Sequence, residues 1–209
     1  MTTSEPEFLV AALSELTEAL YRDLDEAVRI AGGHFREYDM TDATYHAGQS
    51  HLARCHARRL LQLSQADGEL GGWVVAPPAP NVQVCLNRQQ LQLRMLRPDK
   101  KQVPKPGTND ARIAWFSNHH DTLGGIESSR LIGLWALNDE SEVVVRVVRT
   151  SGEARWGQRN RIDVDITLPR LATAVEDLEF RPFDAGEIEL PFEQGDEETG
   201  TDNATGTGP

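Results

Sequence analysis

The strongest constraint on the fold is a change in the spacing of apolar residues at a proline-rich segment. Before residue 76 the apolar residues recur at steps of three and four, the period of a helix; after residue 80 they alternate, the period of a strand. Residues 76–80 contain three prolines, and proline lacks the amide donor that a helix interior requires. The sequence therefore predicts a helical first part and a β-rich second part.

Two helices are predicted in the first part. The first spans residues 7–31 and ends at Gly32-Gly33, because paired glycines favour a helix C-terminus. The apolar stripe of this helix consists of Phe8, Leu9, Ala12, Leu13, Leu16, Leu20, Leu24 and Val28. The second helix spans residues 42–65, with a polar cap at its start and glycines after its end.

Six strands are predicted in the second part. They cover residues 82–86, 91–95, 112–117, 130–138, 142–149 and 161–168. In the last strand Ile162, Val164, Ile166 and Leu168 alternate with polar residues, which predicts one buried face, one solvated face and antiparallel pairing. No helix is predicted between these strands, which argues against βαβ units. A short helix is predicted over residues 171–179.

These elements predict an α+β protein in which two N-terminal helices pack on a mainly antiparallel sheet of about six strands. Residues 1–75 form the helical part, and residues 76–182 form the β part of the same domain. Residues 183–209 form an acidic tail. We expect this tail to be disordered at least from residue 193, because its composition buries too little apolar surface to offset chain entropy.

Charge is distributed unevenly along the chain. The net charge is −12, yet residues 51–105 contain nine basic and three acidic side chains, whereas residues 1–50 contain three and ten. Residues 183–209 contain eight acidic and no basic side chains. An acidic surface repels nucleic acid, but a basic middle segment allows a local anion site. The alternative is that the basic segment pairs internally with the acidic first helix.

The compartment is also constrained by composition. Two cysteines, Cys55 and Cys85, do not make a disulfide scaffold, and the first ten residues are acidic where a secretory signal would be basic. No run of apolar residues approaches the ~18 that a membrane span needs. We therefore expect a cytoplasmic protein that does not enter a membrane.

Basic side chains provide the candidate binding residues. Some cluster on the second helix, others follow on the first predicted hairpin, and a loop places a tryptophan between arginines, a composition that stacks on bases or contacts proteins. These residues are Arg54, Arg58, Arg59, Arg88, Arg94, Arg97, Lys100, Lys101, Arg155, Trp156 and Arg159.

Three weaker patterns suggest catalysis or metal binding. The run His119-His120-Asp121 has imidazole and carboxylate groups in a loop after a predicted strand, as a metal site or general base requires. His51 and Cys55 lie four apart on one helical face. Asp163 and Asp165 lie two apart on a strand, so both carboxylates are predicted to leave one face, where arginines of the neighbouring strand are alternative partners.

No established catalytic signature is present, and no cofactor is expected. The leading hypothesis is a non-enzymatic cytoplasmic binding or regulatory module that engages a macromolecular partner, with a protein or a second copy of the chain favoured over nucleic acid. One alternative is a metal-dependent phosphodiesterase or nuclease centred on His119, His120 and Asp121. The other is a nucleic-acid-binding protein that uses the basic segment 51–105.

Overall fold

A six-stranded sheet with helices on both faces forms the core of the protein. The computed structural model describes residues 5–77, 82–98, 102–106, 110–118 and 129–176. The helices are α1 (Glu5–Glu37), α2 (His46–Ala66), α3 (Asp110–Phe116) and α4 (Ala172–Glu176), with a 3₁₀ turn at Ala43–Tyr45. The strands are β1 (Val74–Val75), β2 (Val84–Arg88), β3 (Leu91–Leu96), β4 (Ser129–Leu137), β5 (Val143–Ser151) and β6 (Arg161–Leu168). They pair in chain order, so the predicted α+β fold class is confirmed.

The apolar stripe of α1 packs against one face of the sheet, which we call the helical face. Leu13, Leu16 and Leu20 are fully buried, and they share one apolar cluster with Leu93 of β3 and Val145 of β5. Burying each such side chain contributes about 1.5–3 kcal/mol. α2 packs beside α1 on the same face. The predicted amphipathic spacing therefore positions α1 correctly.

α1 is longer than predicted and α2 begins later. The expected end at Gly32-Gly33 is wrong, because neither glycine adopts a positive φ and the helix continues to Glu37. Glycine in a helix interior costs only about 1 kcal/mol, which packing against α2 offsets. The left-handed residue that follows the helix is Asp39, with φ +54°, and the amide of Met40 donates to the carbonyl of Phe35 at 2.8 Å.

A strand predicted over residues 112–117 is wrong: these residues belong to α3 and the residue after it. Ile113 and Phe116 are spaced three apart, and both contact the second apolar cluster, so the segment uses helical spacing despite its apparent alternation. α3 lies between β3 and β4, which pair in parallel with Leu93 opposite Leu131. The argument against βαβ units is therefore wrong at this one connection. The other four strand pairs are antiparallel.

The face of the sheet away from α1, which we call the outer face, has an apolar cluster of its own. Its buried members are Phe116, Ile132, Leu134, Val148 and Ala154. The expectation of one buried and one solvated face therefore holds only in part, because α3 covers the centre of the outer face.

The remaining strand predictions agree closely with β2 to β6, and β1 is an additional short edge strand. Gln89 has φ +49° in a turn that is shorter than the predicted residues 87–90. The predicted helix over residues 171–179 is present as α4, and its last residues lie outside the described part, as does the acidic tail. Among the helices described, none is long and apolar enough to cross a bilayer.

Candidate functional site

Arg97 lies immediately after the end of β3, on the helical face of the sheet. Because side chains alternate along a strand, Arg97 continues the row formed by Leu93 and Met95, which point into the core. Its guanidinium Cζ lies 4.8 Å from the centroid of the buried Trp135 ring on β4. A cation over an indole face at this distance is attracted by the ring quadrupole. The parallel β3–β4 pairing thus brings a charged side chain over a core aromatic.

Arg54 of α2 provides the second charge at this end of the sheet. Its Nη2 atom lies 3.3 Å from Nδ1 of His51, one turn earlier on the helix. Because a guanidinium has only donors, His51 Nδ1 is the acceptor in this contact. The Nε atom of Arg54 is buried and has no hydrogen-bond partner in the described part of the chain. One donor of a charged group is therefore left unsatisfied inside the fold.

The two arginines are electrostatically coupled. Burial lowers the pKa of Arg97, and the nearby positive charge of Arg54 lowers that pKa further. Within the described residues neither guanidinium forms an ion pair with a carboxylate. Two like charges held together and partly desolvated destabilise the folded state unless an anion joins them.

The guanidinium of Arg97 borders a cavity of about 150 Å³, which we call the arginine pocket. Its other walls come from α1, the start of α2 and the end of β4, and include Gln49, Trp135 and Leu137. A larger cavity of about 630 Å³ lies beside it and shares Val28, Gln49 and Leu137 as lining residues. The pocket therefore opens into an extended cleft between the α1–α2 hairpin and the sheet.

Two other predicted binding residues have partners within the fold. Arg58 is buried and donates to the carbonyls of Gln83 at 3.0 Å and Ala76 at 2.6 Å, so it ties α2 to the first strands. Arg88 forms a 3.0 Å ion pair with Glu15 of α1, which is the internal pairing that the charge pattern left open. Their charges are used to hold the molecule together.

The basic residues of the first hairpin do not converge on one surface. Arg94 lies 5.6 Å from the ring of Trp115 of α3, on the outer face, whereas Arg97 lies on the helical face. The odd spacing between them explains this, because residues three apart on an extended chain point to opposite sides. Lys100 and Lys101 lie outside the described residues.

The predicted loop that contains Trp156 contributes no residue to the lining of the arginine pocket. Trp156 is 69% exposed, and Arg155 forms a 3.4 Å surface ion pair with Glu153. Arg159 is exposed and lines a separate cavity on the outer face. Arg59 is exposed on α2. The candidate binding residues are therefore divided among several surfaces.

The pair Asp163 and Asp165 does not form one acidic site. A register shift in the β5–β6 ladder places Val164 opposite Arg149 and Ile162 opposite Thr150, so one extra residue of β6 falls between these pairs. Asp163 contacts Arg149 at 3.1 Å, while Asp165 contacts Arg146. Arg146 and Arg149 are three apart on β5 and leave opposite faces. The prediction that both carboxylates share one face is wrong because of this bulge.

The other metal and catalytic candidates are not joined by further potential metal ligands in the part of the chain that is described. His51 is exposed, and Cys55 is a partly buried free thiol. No group of three or more histidine, cysteine or acidic side chains with metal-site spacing occurs among the described residues. His119, His120 and Asp121 lie outside them. The preceding residue, Asn118, is fixed by a 2.8 Å hydrogen bond from its Nδ2 to the Thr150 carbonyl.

Sequence reasoning did not single out Trp135 as part of a site. Trp135 and Arg97 are far apart in sequence, and no local pattern indicates that they meet; only the parallel strand pairing brings them together. Comparisons with protein families, with curated proteins and with solved structures find no match to this chain. The function is therefore argued from the geometry of the site.

Proposed function

We propose that the chain is a non-enzymatic binding module that accepts an acidic side chain of a protein partner in the arginine pocket. The observation that supports this most strongly is that Arg97 lies over Trp135, close enough to Arg54 for that charge to lower its pKa, and pairs with no carboxylate among the described residues. A partner carboxylate in the pocket would pair with Arg97 and offset the repulsion between Arg97 and Arg54.

The cost of holding these charges gives the proposal its physical basis. Most buried guanidinium groups are paired, as Arg149 is with Asp163 in this protein. Arg97 is exposed as a residue, but its guanidinium lies over Trp135, where burial lowers its pKa, and it forms no ion pair in the described part. Sites that bind ligands commonly retain such uncompensated electrostatic strain.

A protein partner fits better than a nucleic acid. Proteins that bind nucleic acid neutralise several phosphates with a stripe of basic side chains. In this protein the basic side chains are split between two faces of the sheet. The net charge of −12 also repels a polyanion at long range. A concave site lined by Arg97, with the charge of Arg54 nearby, matches an isolated acidic side chain.

The surroundings of the arginine pocket favour a macromolecule over a free ion. The adjoining cleft of about 630 Å³ extends under the α1–α2 hairpin. At the tip of that hairpin the ring of Phe35 lies near that of Tyr45, and the ring of Tyr38 lies near that of His34. Tyr38 is 60% exposed. Exposed aromatic side chains are enriched at protein interfaces. The free thiols of Cys55 and Cys85 are in keeping with a reducing cytoplasm.

The test measures binding of a fluorescein-labelled peptide of eight glutamates by anisotropy at low salt. A peptide of eight glutamines with the same label is the control for the dye. We expect saturable binding of the acidic peptide that weakens as salt is added, because the interaction is ionic. Arg97→Gln should weaken it about tenfold, since a charge-assisted hydrogen bond contributes about 1.5–3 kcal/mol.

Arg59→Gln is the matched control variant, because Arg59 is exposed on the same helix as Arg54 and away from the pocket lining. It should change affinity by less than about twofold. Equal losses in the Arg97 and Arg59 variants would show nonspecific attraction and contradict the proposal. The other outcome is that an eight-nucleotide poly-dT strand binds more tightly than the acidic peptide and that Arg97→Gln abolishes this binding. That result would identify the partner as nucleic acid and contradict a protein partner.

A further inference from the structure

A second cavity, of about 290 Å³, lies on the outer face of the sheet. Its apolar walls include Val103, Phe116 and Ile162, and its polar groups include Gln102, Arg146 and Arg159. Phe116 and Ile162 belong to the apolar cluster under α3, so the cavity is an opening at the edge of a packed core. This size is at the lower end of the range for small-molecule sites.

Gln102 contributes an unsatisfied acceptor to this cavity. Its Oε1 atom is buried and has no hydrogen-bond partner among the residues that the structure describes. Buried side-chain oxygens in native proteins are almost always hydrogen-bonded, and leaving one unsatisfied costs about 1–3 kcal/mol. A ligand with an N–H or O–H donor would supply the missing bond.

Two arginines give the cavity a positive charge. Arg146 donates from Nε and Nη2 to Asp165, and this contact raises the pKa of Arg146. Asp165 neutralises that charge but leaves Nη1 available. Arg159 is exposed at the cavity and makes no ion pair within the described residues. One positive charge therefore remains in excess, and it favours an anionic ligand.

We propose that this cavity binds a small aromatic carboxylate that also has a ring N–H or O–H donor. The ring would pack between Phe116 and Ile162, the donor would reach Gln102 Oε1, and the carboxylate would contact Arg159. A rigid ring loses little conformational freedom on binding, which suits a small site. The proposal is independent of the arginine pocket, because the two sites lie on opposite faces of the sheet.

The experiment compares three probes of similar size by ¹H–¹⁵N NMR titration of the full chain. Indole-3-acetate has the ring, the donor and the carboxylate; 1-naphthaleneacetate lacks the donor; 3-methylindole lacks the carboxylate. We expect saturable shifts of the Phe116 and Ile162 amides, with indole-3-acetate binding about tenfold more tightly than either of the others.

Two variants separate the two polar contacts. Gln102→Leu should make indole-3-acetate and 1-naphthaleneacetate bind equally, because the acceptor is gone. Arg159→Gln should weaken both carboxylates about tenfold and leave 3-methylindole unchanged. Arg155→Gln is the matched control, since Arg155 is an exposed arginine of the same loop that does not line the cavity, and it should change no affinity by more than about twofold.

Two results would overturn the proposal. One is the absence of saturable shifts at the lining amides with about 10 mM indole-3-acetate, a concentration well above that needed for a Kd near 1 mM. The other is equal binding of all three probes, which would show that the cavity binds apolar rings without contacts from Gln102 and Arg159.

Discussion

Replacing Tyr21 by phenylalanine tests how α1 is joined to the sheet. Tyr21 is 4% exposed. Its hydroxyl donates to the Leu168 carbonyl of β6 at 2.5 Å and accepts from the Val145 amide of β5 at 3.0 Å. Val145 and Leu168 are partners in the β5–β6 ladder, so this hydroxyl bridges the two strands. Phenylalanine keeps the ring, including its contact with Arg170, and removes only the bridging oxygen.

The expected loss follows from the two groups that the hydroxyl leaves behind. A buried donor or acceptor without a partner costs about 1–3 kcal/mol, so the substitution should lower the free energy of unfolding by about 3 kcal/mol in total. For a folded region of this size, that corresponds to a fall in Tm of about 6–12 °C.

Chemical and thermal denaturation followed by circular dichroism measure this effect. Tyr38→Phe is the control, because Tyr38 is 60% exposed, and it should change stability by less than about 0.5 kcal/mol. If Tyr21→Phe were as mild as Tyr38→Phe, the hydroxyl bridge would not contribute to stability and the placement of α1 on β5 and β6 would be refuted.

The same hydroxyl predicts a pH dependence. Burial raises the pKa of Tyr21 above its usual value of 10.0, although the Val145 amide and Arg170 oppose this. The folded state therefore holds the proton more tightly than the unfolded state, and this stabilisation is complete below pH 10 and lost as the pH rises through the folded pKa. Unfolding measurements above pH 10 should show a decline that Tyr21→Phe reduces; an identical decline in both proteins would contradict this.

Three further predictions concern packing and chain length. Gly71→Ala should lower the free energy of unfolding by more than about 2 kcal/mol in denaturant titrations. The reason is that Gly71 has φ +54° and that an added Cβ would lie 2.9 Å from the Glu15 carbonyl oxygen. A smaller loss would contradict this close approach. Trp135→Ala should cost about 3–5 kcal/mol by the same measurement, because Trp135 is 2% exposed on a central strand, and a loss below about 1 kcal/mol would refute its core position. Deleting residues 193–209 should leave Tm nearly unchanged in calorimetry, as their composition predicts, and a marked fall would show that they belong to the fold.

The elements that sequence predicts best are those whose periodicity is regular and long. α1 and β6 follow from the repeat of Leu13, Leu16 and Leu20 and from the alternation that ends at Leu168. α3 was predicted wrongly because seven residues are too few to separate helical from strand spacing. Its misassignment also concealed the parallel pairing of β3 with β4.

The candidate site was predicted only in part, for a different reason. Arg54 and Arg97 were recognised as basic, but charge counting does not distinguish them from Arg58 and Arg88, which hold the fold together. That distinction depends on which residues oppose each arginine in three dimensions. The bulge beside Asp163 shows the same limit, because one extra residue in β6 separates two carboxylates that simple alternation places together.

We propose that an acidic group of a partner completes the site of Arg97 and the neighbouring charge of Arg54. The most direct measurement follows the side-chain Nε–Hε signals of these arginines by ¹H–¹⁵N NMR as the octaglutamate peptide is added. The account predicts that both signals move together and saturate, while the signal of Arg88, already paired with Glu15, stays in place. Signals of Arg54 and Arg97 that stay fixed while the exposed Arg59 moves would contradict it.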